Sequence, residues 1–122
     1  MDASRKNRRM WNATSDAYQE EHGPQLDRKG LAWGVWGLPE SELRVLGDVT
    51  GRDLLELGCG AAQWSLFLAQ AGAQPVGLDF SEAQLANARP RLAAAGLAGK
   101  PRRVPGPHAQ YAGTPLSVAQ LR

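Results

Sequence analysis

The 122-residue chain has little cysteine and no long apolar run. Its one cysteine, Cys59, cannot form an internal disulfide, which favours a reducing compartment such as the cytoplasm. No run of about eighteen apolar residues is present, so no membrane-spanning helix is predicted. No apolar segment follows the basic residues at the N-terminus, which argues against a secretory signal. These features favour a cytoplasmic protein that does not enter the membrane.

Negative charge is missing from the last third of the chain. All twelve acidic residues lie at or before Glu82, whereas the residues that follow are rich in arginine, proline and alanine. A net charge of +2 is too small to indicate a nucleic-acid partner. We expect a disordered basic tail over 1–10, a folded part over 11–99 and an irregular, basic, proline-rich tail over 100–122.

Two short apolar runs, each ending near an acid, are the most informative part of the sequence. Residues 52–57 predict a strand, Gly58-Cys59-Gly60 a tight turn, and 61–71 a helix. Residues 75–79 predict a second strand, which ends on Asp79. A strand, glycine turn, helix and second strand place a nucleotide-like pocket at the carboxyl ends of parallel strands.

Each residue type in this pattern suits a particular contact. Gly58 and Gly60 allow a ligand to approach the backbone closely, and the helix that follows directs free N–H groups at the same space. Asp79 can accept both hydroxyls of a ribose, or it can cap the next helix. Glu56 suits a ligand with positive charge near the turn and would repel a pyrophosphate.

The pattern Glu56-Leu57-Gly58-Cys59-Gly60 resembles motif I of the class I S-adenosylmethionine-dependent methyltransferases. Asp79 then falls where that family carries its ribose-binding acid, and Ala62 stands where many members have a further glycine. The resemblance covers about residues 30–95. It implies S-adenosylmethionine as cofactor, a small-molecule acceptor, and donor contacts from Glu56, Gly58, Gly60 and Asp79, with Cys59 contributing its backbone.

The alternative is a nicotinamide- or flavin-binding Rossmann module. A dinucleotide fingerprint requires a glycine at position 63, but this chain has Gln63, whose side chain could instead reach ligand oxygens. Cys59 is more simply a small turn residue than a nucleophile, since His22 and His108 are remote in sequence and form no metal-ligand spacing with it. No catalytic residue and no metal ligand is predicted.

Aromatic residues are concentrated before the glycine turn, and they are Trp11, Tyr18, Trp33 and Trp36. They can seal the sheet as a hydrophobic clamp, or they can cover the cofactor, where an aromatic face lies near a sulfonium or an adenine. N-terminal helices cover the cofactor in many methyltransferases of the family that the chain resembles. Tyr18 is the best single candidate for such a contact.

The predicted helices are interrupted by proline. A helix beginning near Ser15 is expected to end at Gly23-Pro24, and one opening at Pro39 is expected to close at Gly47. Ser81 predicts the cap of a further helix, which Pro90 should kink or end near 88–89.

The expected fold is α/β, a Rossmann-like parallel sheet with flanking helices that is truncated after the second strand-helix unit. The family's seven-stranded sheet needs roughly 170 residues at typical element lengths. We therefore expect an N-terminal fragment, or a reading frame lost near residue 100, that is inactive and able to self-associate through unpaired sheet edges.

Overall fold

The computed structural model describes residues 3–97, 100–103, 111–114 and 117–120. Its helices in chain order are α1 (Ala3–Lys29), α2 (Glu40–Leu43), α3 (Gln63–Gln70) and α4 (Glu82–Ala94). Its strands are β1 (Ala32–Trp33), β2 (Leu38–Pro39), β3 (Asp53–Leu57), β4 (Gln74–Asp79), β5 (Lys100–Arg103), β6 (Tyr111–Thr114) and β7 (Ser117–Gln120).

The central sheet is parallel, with β4 between β3 and β7. Leu57 pairs with Leu78, so β3 and β4 end side by side at one edge of the sheet. This register brings the glycine turn that follows β3 next to Asp79 at the end of β4. The predicted α/β fold, a parallel sheet with flanking helices, is confirmed. β1 with β2 and β5 with β6 form two short antiparallel pairs.

Helix α3 links two apolar clusters. One contains Ala62, Ala88 and Leu92, with Leu66 and Ala69 of α3 packed against it. The other contains Val49, Leu68 and Ala73, with Leu54 and Trp64 packed against it. Trp64 therefore packs α3 on the sheet.

Helix α1 is longer than the sequence predicts at both ends. It begins at Ala3, so residues 3–10 are helical rather than a disordered tail, and it continues through Pro24 to Lys29. Proline removes one helical hydrogen bond. Beyond it, Asp27 accepts two hydrogen bonds from Arg91 of α4, at 2.7 and 2.9 Å, which hold the last turn in place.

Helix α4 also continues past its proline, to Ala94, so of the two predicted outcomes, a kink or an end near 88–89, the end does not occur. Ala88 and Leu92 lie one turn apart on either side of Pro90, and both are buried in the same cluster. Burial of these side chains offsets the hydrogen bond that the proline removes. In contrast, α2 is only four residues long, because Arg44 adopts a left-handed conformation with φ 52°.

The segment expected to be an irregular tail contains strands. The tail over 100–122 is expected to be irregular, but β7 within it is extended and pairs with β4 from Val76 to Asp79. The free edge of β4 offers unpaired N–H and C=O groups, and β7 satisfies them. The parallel sheet therefore has three strands in the described part of the chain, where the sequence predicts two. Residues 104–110 of the expected tail lie outside the described residues.

Candidate functional site

A cavity of about 410 Å³ lies at the carboxyl ends of β3 and β4. Its size is within the range of small-molecule sites, about 300–1,000 Å³. All six residues that the sequence singles out for cofactor contact line it, and they are Tyr18, Glu56, Gly58, Cys59, Gly60 and Asp79. The structure thus brings together one residue of α1, the end of β3, the glycine turn and the end of β4.

The glycine turn has the backbone conformation that its sequence requires. Gly58 and Gly60 have φ angles of 69° and 55°, in the left-handed region that favours glycine. The N–H of Cys59 donates to the carbonyl of Leu78 at 2.9 Å, which fixes the turn to β4. Gly77 makes this approach possible, because a Cβ there would lie 2.9 Å from the Cβ and Sγ of Cys59.

Ala62 shows the cost of the departure from the family pattern. Its φ is 62°, so the residue that stands where many relatives have glycine adopts a conformation that alanine disfavours. The left-handed region costs a non-glycine residue about 1–2 kcal/mol. Ala62 is almost fully buried in the cluster with Ala88 and Leu92, and its methyl group contributes packing that glycine would lack.

Asp79 fixes the start of two elements with its two carboxylate oxygens. Oδ2 accepts from the N–H of Gly60 at 2.9 Å, and Oδ1 accepts from the N–H of Ser81 at 2.8 Å. Ser81 in turn caps α4, its Oγ accepting from the N–H of Gln84. A carboxylate has about four acceptor sites, so two remain for a ligand.

Glu56 is half-buried beside the turn and accepts a hydrogen bond from the Ser65 hydroxyl of α3. Burial raises the pKa of the Glu56 carboxyl above its ordinary value, with a smaller contribution from the charge of Asp79, while the bonds from Ser65 act against the shift. A cationic ligand group next to this carboxylate would relieve the cost of burying its charge.

Cys59 is not an activated nucleophile. Cys59 is 4% exposed, and burial, together with the charges of Glu56 and Asp79, raises the pKa of the thiol far above its ordinary value. The reactive thiolate is therefore disfavoured at neutral pH. This agrees with the interpretation of Cys59 as a small turn residue.

Helix α1 forms an aromatic wall of the cavity. Trp11 and Tyr18 both line it, with ring centroids 5.4 Å apart in an edge-to-face arrangement. Trp33 instead contacts Trp64, with centroids 4.7 Å apart, and Trp36 is 85% exposed away from the cavity. The N-terminal aromatic residues therefore divide between a cavity wall, a clamp on α3 and an exposed loop.

Three glutamines on three helices form a hydrogen-bonded chain at the cavity, which the sequence analysis missed. Gln63 donates from Nε2 to Oε1 of Gln19 at 2.8 Å, and Gln19 donates from Nε2 to Oε1 of Gln84 at 3.1 Å. All three residues line the cavity. The sequence carries no signal for this chain, because only the tertiary fold shows which partners the three side chains reach.

The face of α1 that carries Gln19 also packs the helix against α4. The Oγ of Ser81 donates to Oδ1 of Asn12 at 2.7 Å, and Nδ2 of Asn87 donates to Ser15 and Asp16 at 3.1 and 2.9 Å. Together with the Asp27–Arg91 pair, these contacts hold the wall through polar groups along most of the length of α1.

Comparison with known proteins agrees with this geometry. Residues 54–114, half of the chain, match the model of the methyltransferase domain family. The chain belongs to the class I S-adenosylmethionine-dependent methyltransferases. It is 32% identical over 96 residues to the ubiquinone biosynthesis O-methyltransferase of Bordetella avium (strain 197N). That alignment covers 66% of this chain and 40% of the relative, so the chain spans less than half of its relative's length.

The matched part of the chain includes the glycine turn, Asp79 and α4. Helix α1, which supplies Tyr18, Gln19 and the aromatic wall, lies before the matched residues. The cavity is thus built partly from family-wide elements and partly from a helix outside the matched region. Among the described residues, no helix combines the length and the apolar character needed to cross a membrane.

Proposed function

We propose that the cavity binds S-adenosylmethionine as methyl donor for transfer to a small-molecule acceptor. The observation that carries this proposal is the meeting of two carboxylates, Glu56 and Asp79, on one glycine turn within a single cavity. The bound donor would supply a methyl group on a sulfonium, which an acceptor nucleophile displaces directly. The protein would hold donor and acceptor in line and exclude water.

The geometry supports each proposed contact. The two unused acceptor sites of Asp79 suit the hydroxyls of a ribose, and the two glycines of the turn, which lack a Cβ, suit a close approach of the ligand. Glu56 suits the ammonium of the methionine part, which would also compensate the burial of its carboxylate. The rings of Trp11 and Tyr18 offer π faces or edges to the sulfonium or the adenine.

A dinucleotide fits these residues less well. The carboxylate of Glu56 would repel a pyrophosphate at the turn. Gln63 stands where a third glycine is needed, and its side chain is tied to Gln19 across the cavity. A nicotinamide- or flavin-binding module is therefore the weaker candidate.

The acceptor is proposed only as a class. The Bordetella relative is named as an O-methyltransferase of ubiquinone biosynthesis, which favours an oxygen nucleophile on a small molecule. We assign no catalytic base. The single buried cysteine, without a disulfide partner, supports a cytoplasmic location for this activity.

We further propose that this chain by itself is incomplete as an enzyme. Leu55 and Leu57 of β3 are 61% and 71% exposed, although strands of a parallel sheet are normally covered on both faces. We expect no methyl transfer from the isolated chain and a surface at β3 through which copies self-associate.

Calorimetric titration with S-adenosylmethionine and with NAD tests the proposed donor. We expect S-adenosylmethionine to bind more tightly, because Glu56 attracts its ammonium and repels a pyrophosphate. Tighter binding of NAD would reject the proposal. Absence of binding by either ligand would also count against a formed donor site in this chain.

A further inference from the structure

Among the described residues, two acids and one cation line the cavity. Glu56 and Asp79 are the acids, and Lys29, the last residue of α1, is the one lysine or arginine among the described residues that line it. The proposed contacts with the donor use both acids and leave Lys29 without a role.

The proposed donor has a group that the acids cannot bind. Its methionine part carries an ammonium and a carboxylate on the same carbon, and its sulfonium carries a further positive charge. Glu56 suits the ammonium but would repel the carboxylate beside it. A cation on the cavity wall is the complementary partner for that carboxylate.

The position of Lys29 is set by elements that also build the cavity. Its backbone is held by the preceding turn, where Asp27 pairs with Arg91 of α4. Gly30 follows with φ 63° and ends the helix, and both Gly30 and Ala32 line the cavity beside Lys29. The flexible side chain of Lys29 passes close to Gly37. A Cβ added to that glycine would lie 3.7 Å from Cε of Lys29.

A purely structural role for Lys29 is the competing explanation. A cation in the last turn of a helix interacts favourably with the helix dipole. Arg28 occupies the same turn and serves that role equally, yet it does not line the cavity. The pair therefore separates the two explanations, because only Lys29 combines the helix terminus with the cavity.

We propose that Lys29 binds the carboxylate of the donor's methionine part, with Glu56 binding the neighbouring ammonium. This inference rests on the proposed donor. It makes Lys29 a residue that selects ligands with an intact amino-acid end, and it assigns α1 a contact with the donor at its C-terminus in addition to the aromatic wall.

Binding of S-adenosylmethionine and of decarboxylated S-adenosylmethionine, which lacks the carboxylate, tests this role by calorimetry. We expect the unmodified chain to favour the complete donor by about tenfold, as for a lost charge-assisted hydrogen bond. Lys29→Met should abolish this preference by weakening only the complete donor. Lys29→Arg should keep the preference, and Arg28→Met should leave both affinities unchanged.

Several outcomes would overturn the inference. One is a Lys29→Met variant that weakens the affinity for both ligands equally, and another is an unmodified chain that binds the two ligands with the same affinity. A third such outcome is an Arg28→Met variant that changes the affinities as much as Lys29→Met does. If the unmodified chain binds neither ligand, the proposed donor itself is wrong, and the inference fails with it. Binding of both ligands without discrimination rejects Lys29 alone.

Discussion

Asp79 shows how a single carboxylate can organise a site before any ligand enters. The sequence left open whether it binds a ribose or caps a helix. In the structure its carboxylate accepts hydrogen bonds from the N–H groups of Gly60 and Ser81, so it fixes both the glycine turn and the start of α4. Its identity and position were predictable from the end of an apolar run. Its bond to Gly60 was not, because that contact depends on the register of β3 and β4.

Glu56 and Gln19 mark the limits of sequence reasoning at the residue scale. The strand and the turn place Glu56 at the cavity, but its bond with Ser65 requires the docking of α3. Gln19 gives no signal of its own in the sequence. It matters because two other glutamines, at the starts of α3 and α4, come within hydrogen-bond distance of it.

Glu56→Gln should stabilise the ligand-free protein at neutral pH and weaken the binding of S-adenosylmethionine. Folding raises the pKa of Glu56, so the folded chain holds this proton more tightly than the unfolded chain does. The contribution of Glu56 to the free energy of unfolding therefore falls as pH rises from its ordinary pKa of 4.5 through its raised pKa in the folded chain. Above the raised pKa the contribution stays low. Gln removes the buried charge.

Thermal unfolding of both proteins between pH 4 and pH 8 measures this effect, with the exposed Glu20→Gln as control. We expect the Tm difference between Glu56→Gln and the unmodified chain to grow as pH rises. A lower Tm for Glu56→Gln at pH 7, or a difference that does not change with pH, would contradict the assigned burial cost.

At the scale of elements, hydrophobic periodicity and glycine identified β3, α3 and β4 to within about two residues. Proline was a poor guide to the ends of α1 and α4. Interior proline costs a helix about 3 kcal/mol locally, but Asp27 and Leu92 make tertiary contacts beyond it. Such contacts cannot be known until the packing partners are known.

Asn87→Ala should loosen α1 and thereby weaken donor binding. Nδ2 of Asn87 donates to Ser15 and Asp16, and the loss of these bonds should lower the free energy of unfolding by about 1–2 kcal/mol. Hydrogen exchange should show faster exchange in α1, with little change in β3 and β4.

The matched control is Gln70→Ala, an exposed polar residue at the end of α3. It should change neither the exchange of α1 nor the affinity for S-adenosylmethionine. If Asn87→Ala leaves exchange in α1 unchanged, the polar face of α1 is not what holds the cavity wall.

At the scale of the whole molecule, the most prominent feature is the solvent-exposed face and unpaired edge of β3 in the described part of the chain. β4 has a strand on each side, whereas β3 pairs on one side alone in the described part of the chain. The sequence predicted two parallel strands with unpaired edges, and β7 covers one of those edges. The proline-rich composition gave no sign of this third strand.

Leu55→Lys should reduce self-association at β3. A lysine on an edge strand disfavours pairing with another chain, and Leu55 is 61% exposed, so the folded chain should tolerate the change. Sedimentation velocity over a range of concentrations should show more monomer than for the unmodified chain. Val35→Lys, at an exposed apolar site outside the parallel sheet, should have no such effect. A monomeric unmodified chain at high concentration would reject this surface.

The affinity of S-adenosylmethionine for the unmodified chain, Asp79→Ala and Cys59→Ala tests the proposed donor site most directly. Asp79→Ala should lose charge-assisted hydrogen bonds to the ribose, each contributing about 1.5–3 kcal/mol. This corresponds to at least about tenfold weaker binding. Cys59 should contact the donor only through its backbone, which alanine keeps. The affinity of Cys59→Ala for S-adenosylmethionine should therefore be close to that of the unmodified chain. A larger loss for Cys59→Ala than for Asp79→Ala would contradict the proposed binding mode.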